Sequence, residues 1–319
     1  MLRTILGGIW LVCALLFFIM VQQPVSVEAQ WLIAITALAV AIGIYTLRLS
    51  GTWKYIFLGA VCVVAVRYAY WRTTSTLPSA DDLTNFIPAI ILYGAEMYCL
   101  LMLAMSLFVS ADPLERPQAP QYPDDELPSV DVFVPSYNES SDILSLTLAA
   151  AKSLDYPQDK LRVYLLDDGG TDEKRLSSDH KTALAAQTRH EELQYLCRDL
   201  GVGYLTRPAN VHAKAGNLNN GLAHSSGALV VVFDADHAPA REFLRETVGF
   251  FKRDPRLFLV QTPHFFSNPD PLEKNLSTFR TMPSENEMFY GTIQKGLDKW
   301  NAAFFCGSNA VIRREALMQ

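Results

Sequence analysis

Long apolar runs and short alternating ones divide this chain near residue 110. Ahead of that point lie four predominantly hydrophobic stretches, Leu2 to Val21, Trp31 to Leu47, Tyr55 to Trp71 and Phe86 to Ser110. A helix of roughly 20 residues, at about 1.5 Å rise per residue, covers about 30 Å of hydrocarbon. The pattern therefore predicts a bundle of four transmembrane helices within residues 1–110. Residues 111–128 are rich in Pro, Asp, Glu and Gln and read as an exposed linker. From 129 to 319 the runs shorten and alternate in type. Strands are expected at Ser129 to Pro135, Leu161 to Leu166, Gly203 to Thr206, Ala228 to Phe233 and Leu257 to Gln261. Helices are expected at Ser141 to Leu154, Gln187 to Leu200, Ala215 to Ser225 and Arg241 to Arg253. Such alternation predicts an α/β domain on an open, mainly parallel sheet, and the unbroken run Val230 to Phe233 marks a central strand covered on both faces.

The short loops orient the spans. Arg3 precedes the first, Arg48 and Lys54 bracket the turn after the second, and the loop Gln22 to Gln30 carries only Glu28. By the positive-inside rule the amino terminus is cytoplasmic, and four crossings return the chain to that side. A cleaved signal peptide is the alternative for the first span, with Val27-Glu28-Ala29 as a loose cleavage site. Three crossings would then remain, with the large domain on the same side. Arg67 and Glu96 fall inside spans, where a charge costs about 2.5–3.5 kcal/mol at the bilayer centre, so Arg67 is expected to reach outward and Glu96 to find a partner or line a path.

Half of the 319 residues are hydrophobic and the formal charge is −6. A nucleic-acid partner needs a basic face, so that class is excluded. Of five cysteines, Cys13, Cys62 and Cys99 lie in the spans, while Cys197 and Cys306 stand alone, with no disulfide or metal-ligand spacing.

The candidate chemistry gathers where predicted strands end. Asp167-Asp168-Gly169 and Asp234-Ala235-Asp236 each close an apolar run, at the sheet edge where α/β proteins bind ligands. Two carboxylates two residues apart in a turn can share a divalent cation that also takes phosphate oxygens. An isolated Asp-x-Asp is more often a turn cap. Here three further loops accompany it. Ser136-Tyr137-Asn138-Glu139 offers an aromatic that could face a base, Asp167 could accept from a base N–H, and His212-Ala213-Lys214-Ala215-Gly216-Asn217 opens a helix with a lysine suited to phosphate or base.

With these motifs, and with Gln261-Thr262-Pro263-His264-Phe265-Phe266 and Phe304-Phe305-Cys306-Gly307-Ser308, the chain resembles the inverting family 2 glycosyltransferases of GT-A fold, and among them the bacterial cellulose synthases. The resemblance implies transfer of glucose from UDP-glucose to the 4-hydroxyl of a growing β-1,4-glucan, with export of the polymer through the membrane. It implies that Tyr137, Glu139, Asp167 and Lys214 hold the uridine end. Asp234 and Asp236 would be catalytic and would bind Mg²⁺, with Mn²⁺ as the alternative. His264 would lie beside the donor, and Phe289, Tyr290, Phe305, Cys306 and Gly307 would line the place where the glucan end meets it. Cys306 would be a contact and not a nucleophile. The family further implies a bacterial inner-membrane location, lipid contact, a periplasmic accessory subunit and, in full-length members, regulation by cyclic di-GMP.

Against these assignments stand plainer ones. Tyr137 and Lys214 are common surface residues, His264 alone would be structural, and Phe289, Ile293, Leu297 and Trp300 recur at helical spacing, as in a core face or a membrane-surface helix. The family's Thr-Glu-Asp general base, its Gln-x-x-Arg-Trp segment, its later channel helices and its cyclic di-GMP domain are not found before Gln319. The expectation is therefore a GT-A domain incomplete at its carboxyl side, a fragment or truncated product that cannot polymerise alone. The rival readings are a synthase of chitin or hyaluronan type, and a non-catalytic membrane subunit that binds UDP or a synthase.

Overall fold

The structure, a computed structural model, describes Val12 and residues 14–318. The chain forms two compact units, Met1–Leu114 and Glu115–Gln319. In the first, α1 (Val27–Thr46), α2 (Trp53–Ser75) and α3 (Leu83–Ser110) are each long and apolar enough to cross a membrane. The predicted span Leu2 to Val21 lies largely outside the described residues; Val12 and residues 14–21 are helical, and a fourth full-length span is not shown among the described residues. Helices begin where a side chain takes an orphan amide: Ser26 accepts from the Ala29 N–H and Asp82 from that of Asn85.

The charges within the spans find partners. Arg72 Nε donates to Glu96 Oε2 at 2.5 Å and its guanidinium also reaches the Thr76 hydroxyl. Arg67 donates to the Gln30 side chain and the Val21 carbonyl, both at 2.8 Å. Pairing of this kind offsets much of the cost that a charge carries in hydrocarbon.

The second unit runs β1 (Val130–Ser136), α4 (Ser141–Lys152), β2 (Leu161–Asp167), α5 (Asp172–Arg175), α6 (His180–Leu200), β3 (Gly203–Leu205), α7 (Ala213–Ala223), β4 (Leu229–Val232), α8 (Val248–Arg253) and β5 (Leu259–Gln261). It continues with α9 (Pro271–Leu276), α10 (Glu285–Met288), a π-helical turn over Phe289–Ile293, α11 (Gln294–Lys299), β6 (Ala310–Arg313) and α12 (Arg314–Leu317). The strands form one sheet in the order β3-β2-β1-β4-β6-β5. Pairings among β1 to β4 are parallel, whereas β6 lies antiparallel to both β4 and β5.

Every residue of β1 is buried, because both faces are covered. Val130, Val132 and Val134 face a cluster that includes Leu144 and Leu148 of α4 and Leu193 and Cys197 of α6. Phe133 points the other way, joining Leu166 and Val230 against Leu218 and Leu222 of α7.

Two elements differ from the sequence reading. The helix expected from Gln187 starts earlier, at His180, since Asp179 accepts from the Lys181 and Thr182 amides and nucleates an extra polar turn. The helix expected over Arg241 to Arg253 is regular only from Val248. There the Thr247 hydroxyl takes the Phe243 carbonyl at 2.7 Å while its own amide turns to Leu244, which breaks the helical ladder.

Strand β6 was not anticipated. Its four residues displace β5 to the sheet edge and add Arg314, which donates to Asp131 Oδ2 at 2.7 Å and to the carbonyls of Gly227 and Leu222. Asp131 is 1% exposed, so this contact ties the start of β1 to the end of the described chain.

Candidate active site

Parallel strands share one carboxyl edge, so the turns after β1, β2, β3 and β4 open on the same side of the sheet. Because β6 runs the opposite way, it begins at that edge, and the preceding Phe304 to Ser308 segment is delivered there. Its neighbour β5, antiparallel to β6, ends at the same edge and brings Gln261 to His264. The junction is closed by Asn309 N–H donating to the Val232 carbonyl at 2.8 Å.

Ser308, fully buried, joins three of these segments. Its hydroxyl accepts from the Asp234 amide at 2.8 Å and lies 3.0 Å from His237 Nδ1. Its carbonyl accepts from Gln261 Nε2 at 2.8 Å and from His264 Nε2 at 3.2 Å. Asp234 is thus fixed at its backbone while its carboxylate meets Lys214, whose ammonium also donates to the Gly307 carbonyl at 2.8 Å. Lys214 therefore sits with the Asp-x-Asp turn, whereas the resemblance implies a place at the uridine end. The physical reason is local: a carboxylate and a carbonyl lie within reach of one ammonium at the start of α7. Asp236 is the most open group, its side chain 72% exposed, and His237 lies 3.8 Å from it.

These residues fit a divalent cation of the Mg²⁺ or Mn²⁺ kind. Such an ion takes one or two carboxylates and fills its remaining positions with phosphate oxygens and water. Asp234 and Asp236 are hard oxygen donors two residues apart on an open turn. Among the described residues no group of three His, Cys, Asp or Glu side chains forms a cage for a metal held by protein alone.

His264 packs 4.8 Å from Tyr290 and edge-on to His237 at 4.9 Å. Burial, with the neighbouring His237, lowers its pKa against the opposing effect of the Ser308 carbonyl. A carbonyl can only accept, so Nε2 carries the proton and Nδ1 is left as an acceptor. In a pH titration followed by imidazole resonances, the His264 midpoint is expected below the ordinary value of 6.5. Stability then falls as pH drops from that value toward the folded midpoint, because the unfolded chain takes the proton first. An unshifted midpoint would contradict the burial.

The turn after β1 is wound around Glu139. Its Oε2 accepts from the Ser136 hydroxyl at 2.8 Å and from the amides of Tyr137 and Asn138 at 2.7 and 3.1 Å. Burial raises the Glu139 pKa, but these donors outweigh it and hold the carboxyl below its usual range. Tyr137 is exposed, with the Lys174 ammonium 3.7 Å above its ring.

Asp167 is fully buried and spoken for. Its oxygens accept from the amides of Gly169 and Gly170, from Arg189 Nε and from the Tyr204 hydroxyl, all at 2.9–3.0 Å. A carboxylate has about four acceptor sites, so the expected contact to a base N–H requires one of these donors to leave. Asp168 is equally committed, in a bidentate pair with Arg207 at 2.6 and 2.7 Å. Arg207 also holds the carbonyls of Val211 and Ala213, fixing the loop that leads into α7 through left-handed His212 and Ala213. Neither Arg189 nor Arg207 was singled out in the sequence. The one available signal was that a carboxylate pair at a buried strand end requires cations from elsewhere.

On the other side of the site lies an aromatic cluster. Phe289 packs edge-on to Tyr290 at 4.9 Å and to Phe304 at 6.3 Å. The expected continuous helical stripe through Trp300 is interrupted by the π-helical turn, which carries both aromatics, and Trp300 is exposed. Phe305 is half-buried. Cys306 Sγ accepts from Gln294 Nε2 at 2.9 Å, and its amide donates to Gln261 Oε1 at 2.8 Å. Burial pushes its thiol pKa up, with the Gln294 and Tyr290 contacts opposing, so it is not poised as a thiolate. Tyr290 is pushed up to about 12, first by burial and then by Cys306. Gly307, at φ +87°, supplies a left-handed position that leaves its carbonyl facing Lys214.

Residues 131–319 match the family model described as glycosyl transferase family 2. The chain belongs to this family. It is thus a family 2 glycosyltransferase. It is 42% identical over 309 residues to the cellulose synthase catalytic subunit [UDP-forming] of Pseudomonas fluorescens (strain SBW25), covering 96% of this chain and 39% of that protein. The corresponding subunit of Xanthomonas axonopodis pv. citri (strain 306) is 40% identical, with 97% and 40% covered. Cellulose synthase 1 of Komagataeibacter xylinus is 38% identical, with 98% and 19% covered. The chain therefore spans two fifths or less of the length of these relatives. The solved mannosyltransferase PcManGT of Pyrobaculum calidifontis, in complex with GDP-Man and Mn²⁺, is 29% identical, covering 52% of this chain and 43% of its own, with a TM-score of 0.36.

Proposed function

We propose that this glycosyltransferase chain binds UDP-glucose as the donor part of a cellulose-forming enzyme, one that transfers glucose to the non-reducing end of a β-1,4-glucan and passes the polymer through the membrane. The observation that carries the reading is the convergence of Asp234, Lys214 and the Phe304 to Ser308 segment on one sheet edge, joined through Ser308 and Gly307. The similarity to proteins named cellulose synthase supports the choice of sugar and polymer.

In this reading Asp234 and Asp236 hold a divalent ion, which when bound offsets the charge of the leaving diphosphate. Lys214 adds a second positive charge beside it. Tyr137 and Glu139 face the nucleoside, and Phe289, Tyr290, Phe305, Cys306 and Gly307 border the space for the sugars. Neutral His264 offers Nδ1 to a sugar hydroxyl. Asp167 and Asp168, each locked to an arginine, hold loops and do not take the proton from the acceptor hydroxyl. We place the first unit in the bacterial inner membrane with the second in the cytoplasm, next to a periplasmic accessory subunit outside.

The test is calorimetric titration of UDP-glucose into the detergent-purified chain, with and without Mg²⁺. Metal-dependent binding that UDP-N-acetylglucosamine competes for only weakly is the expected result. A well-folded chain that binds no nucleotide sugar would sink the reading and point to a non-catalytic partner of a complete synthase.

A further inference from the structure

We propose that Arg189 is the positioning residue of the nucleotide end of this site, setting its geometry through Asp167 and the Ser136 to Glu139 turn without touching substrate. The inference rests on the functional reading above and adds to it a residue from outside the edge loops.

Arg189 belongs to α6, which packs behind the sheet, yet its guanidinium reaches two of the turns at the carboxyl edge. Nε donates to Asp167 Oδ1 at 3.0 Å, one terminal nitrogen to the Glu139 carbonyl at 2.6 Å, and the other to the Ser136 hydroxyl at 2.7 Å. Each of the three acceptors belongs to a strand end or turn that carries a candidate nucleotide contact. The planar fork makes this possible: five donors in fixed directions can set the spacing between two loops, which the single ammonium of a lysine cannot.

The network around it is closed. The Ser136 hydroxyl, having accepted from Arg189, donates to Glu139 Oε2, which also gathers the Tyr137 and Asn138 amides. On the far side Asp167 takes Tyr204 OH at 2.9 Å, and His190 Nδ1 lies 2.9 Å from that hydroxyl. The Arg189 side chain is 18% exposed and that of Asp167 is not exposed at all, so the pair acts in a low-dielectric setting where its geometry is strongly held. Close packing adds a second restraint. A Cβ placed on Gly169 would lie 2.3 Å from both Arg189 Nε and the Tyr137 carbonyl, so the turns after β1 and β2 meet at this guanidinium with no room for a side chain. The turn holding Asp234 and Asp236 has no hydrogen bond to this network among the described residues, its anchors being Ser308 on the Asp234 amide, Lys214 on the Asp234 carboxylate and the Thr147 hydroxyl on the Ala235 carbonyl at 2.7 Å. Arg189 should therefore govern the nucleoside end and leave the metal end alone.

That separation defines the experiment. In the full chain, Arg189→Gln, Arg189→Lys and the milder Tyr204→Phe are compared with wild type in three measurements: UDP-glucose binding by calorimetry, Mn²⁺ binding by electron paramagnetic resonance, and amide exchange. Arg189→Gln is expected to weaken UDP-glucose binding by about tenfold or more, the size of one charge-assisted contact, with Arg189→Lys in between. Mn²⁺ affinity should change by less than about twofold, a small fraction of that effect. Exchange at the Tyr137, Asn138, Gly169 and Gly170 amides should accelerate while that at Asp234 does not. Tyr204→Phe, which removes one neutral donor to Asp167 and keeps the ring, should shift the same amides in the same direction. Equal loss of UDP-glucose and Mn²⁺ binding, or unaltered exchange at the four amides in both Arg189→Gln and Tyr204→Phe, would overturn the proposal. Should wild type itself not bind UDP-glucose, the functional reading fails, and the exchange measurement still decides whether Arg189 sets these turns.

Discussion

Arg207→Met is expected to lower the stability of the second unit by about 3–5 kcal/mol, the usual cost of leaving one partner of a buried ion pair uncompensated. Asp168 and Arg207 have side chains only 5% and 7% exposed, and their two bonds are short and parallel. Methionine fills much of the arginine's volume but supplies no donor, so Asp168 keeps its burial and loses its counterion. The Val211 and Ala213 carbonyls lose their donor as well. For a unit of this size each kcal/mol shifts the melting midpoint by about 2–4 °C, so thermal denaturation should show a drop of about 6–20 °C. Adding Asp168→Asn should recover part of it by removing the stranded charge. A drop below about 1 kcal/mol, the scale of an exposed ion pair, would mean that water reaches the pair and that it does not hold the loop into α7.

The second large effect concerns Asp234 and Asp236. Replacing both with asparagine keeps their size and one acceptor oxygen each but removes the two charges that would draw a divalent ion to the turn. Lys214 loses its carboxylate partner yet keeps the Gly307 carbonyl, so the local backbone should hold. The expected outcome is loss of the Mg²⁺-dependent part of UDP-glucose binding, at least about tenfold in affinity, which is about 1.4 kcal/mol. The melting temperature should barely move, since Asp236 is mostly exposed and the anchor of Asp234 is its backbone amide to Ser308. Metal-dependent binding that survives in the double variant would place the ion elsewhere and remove the central assignment. Together the two substitutions separate a carboxylate that holds the scaffold from carboxylates that serve the ligand, although all three close strands of the same sheet.

The helices Val27–Thr46, Trp53–Ser75 and Leu83–Ser110, each long and apolar enough to cross a membrane, follow from apolar run length, which can be read without reference to any other part of the chain. Strands β1, β2 and β4 follow from continuous apolar runs ending in polar turns, and their parallel pairing follows from the helices between them. Position at a strand end was also enough to bring Glu139, Asp167, Lys214 and Asp234 to one edge. What each carboxylate does there was not readable. Asp167 and Asp234 look alike in sequence, since each follows an apolar run and opens a short acidic turn. They differ because Arg189 arrives on Asp167 from α6, and Ser308 on the Asp234 amide from the loop ahead of β6. Those partners are 22 and 74 residues away, and no local period or propensity encodes them. Strand β6 was missed for the same reason: Ala310 to Arg313 become a strand because β4 and β5 offer unpaired edges on either side. The sequence by itself determined the three long apolar helices, the parallel strands of the sheet and the edge at which chemistry gathers, since these depend on runs of neighbours. Only the tertiary structure decided which acidic groups are neutralised by buried arginines and which stay open to a ligand, since burial and charge pairing are properties of residues that meet through space.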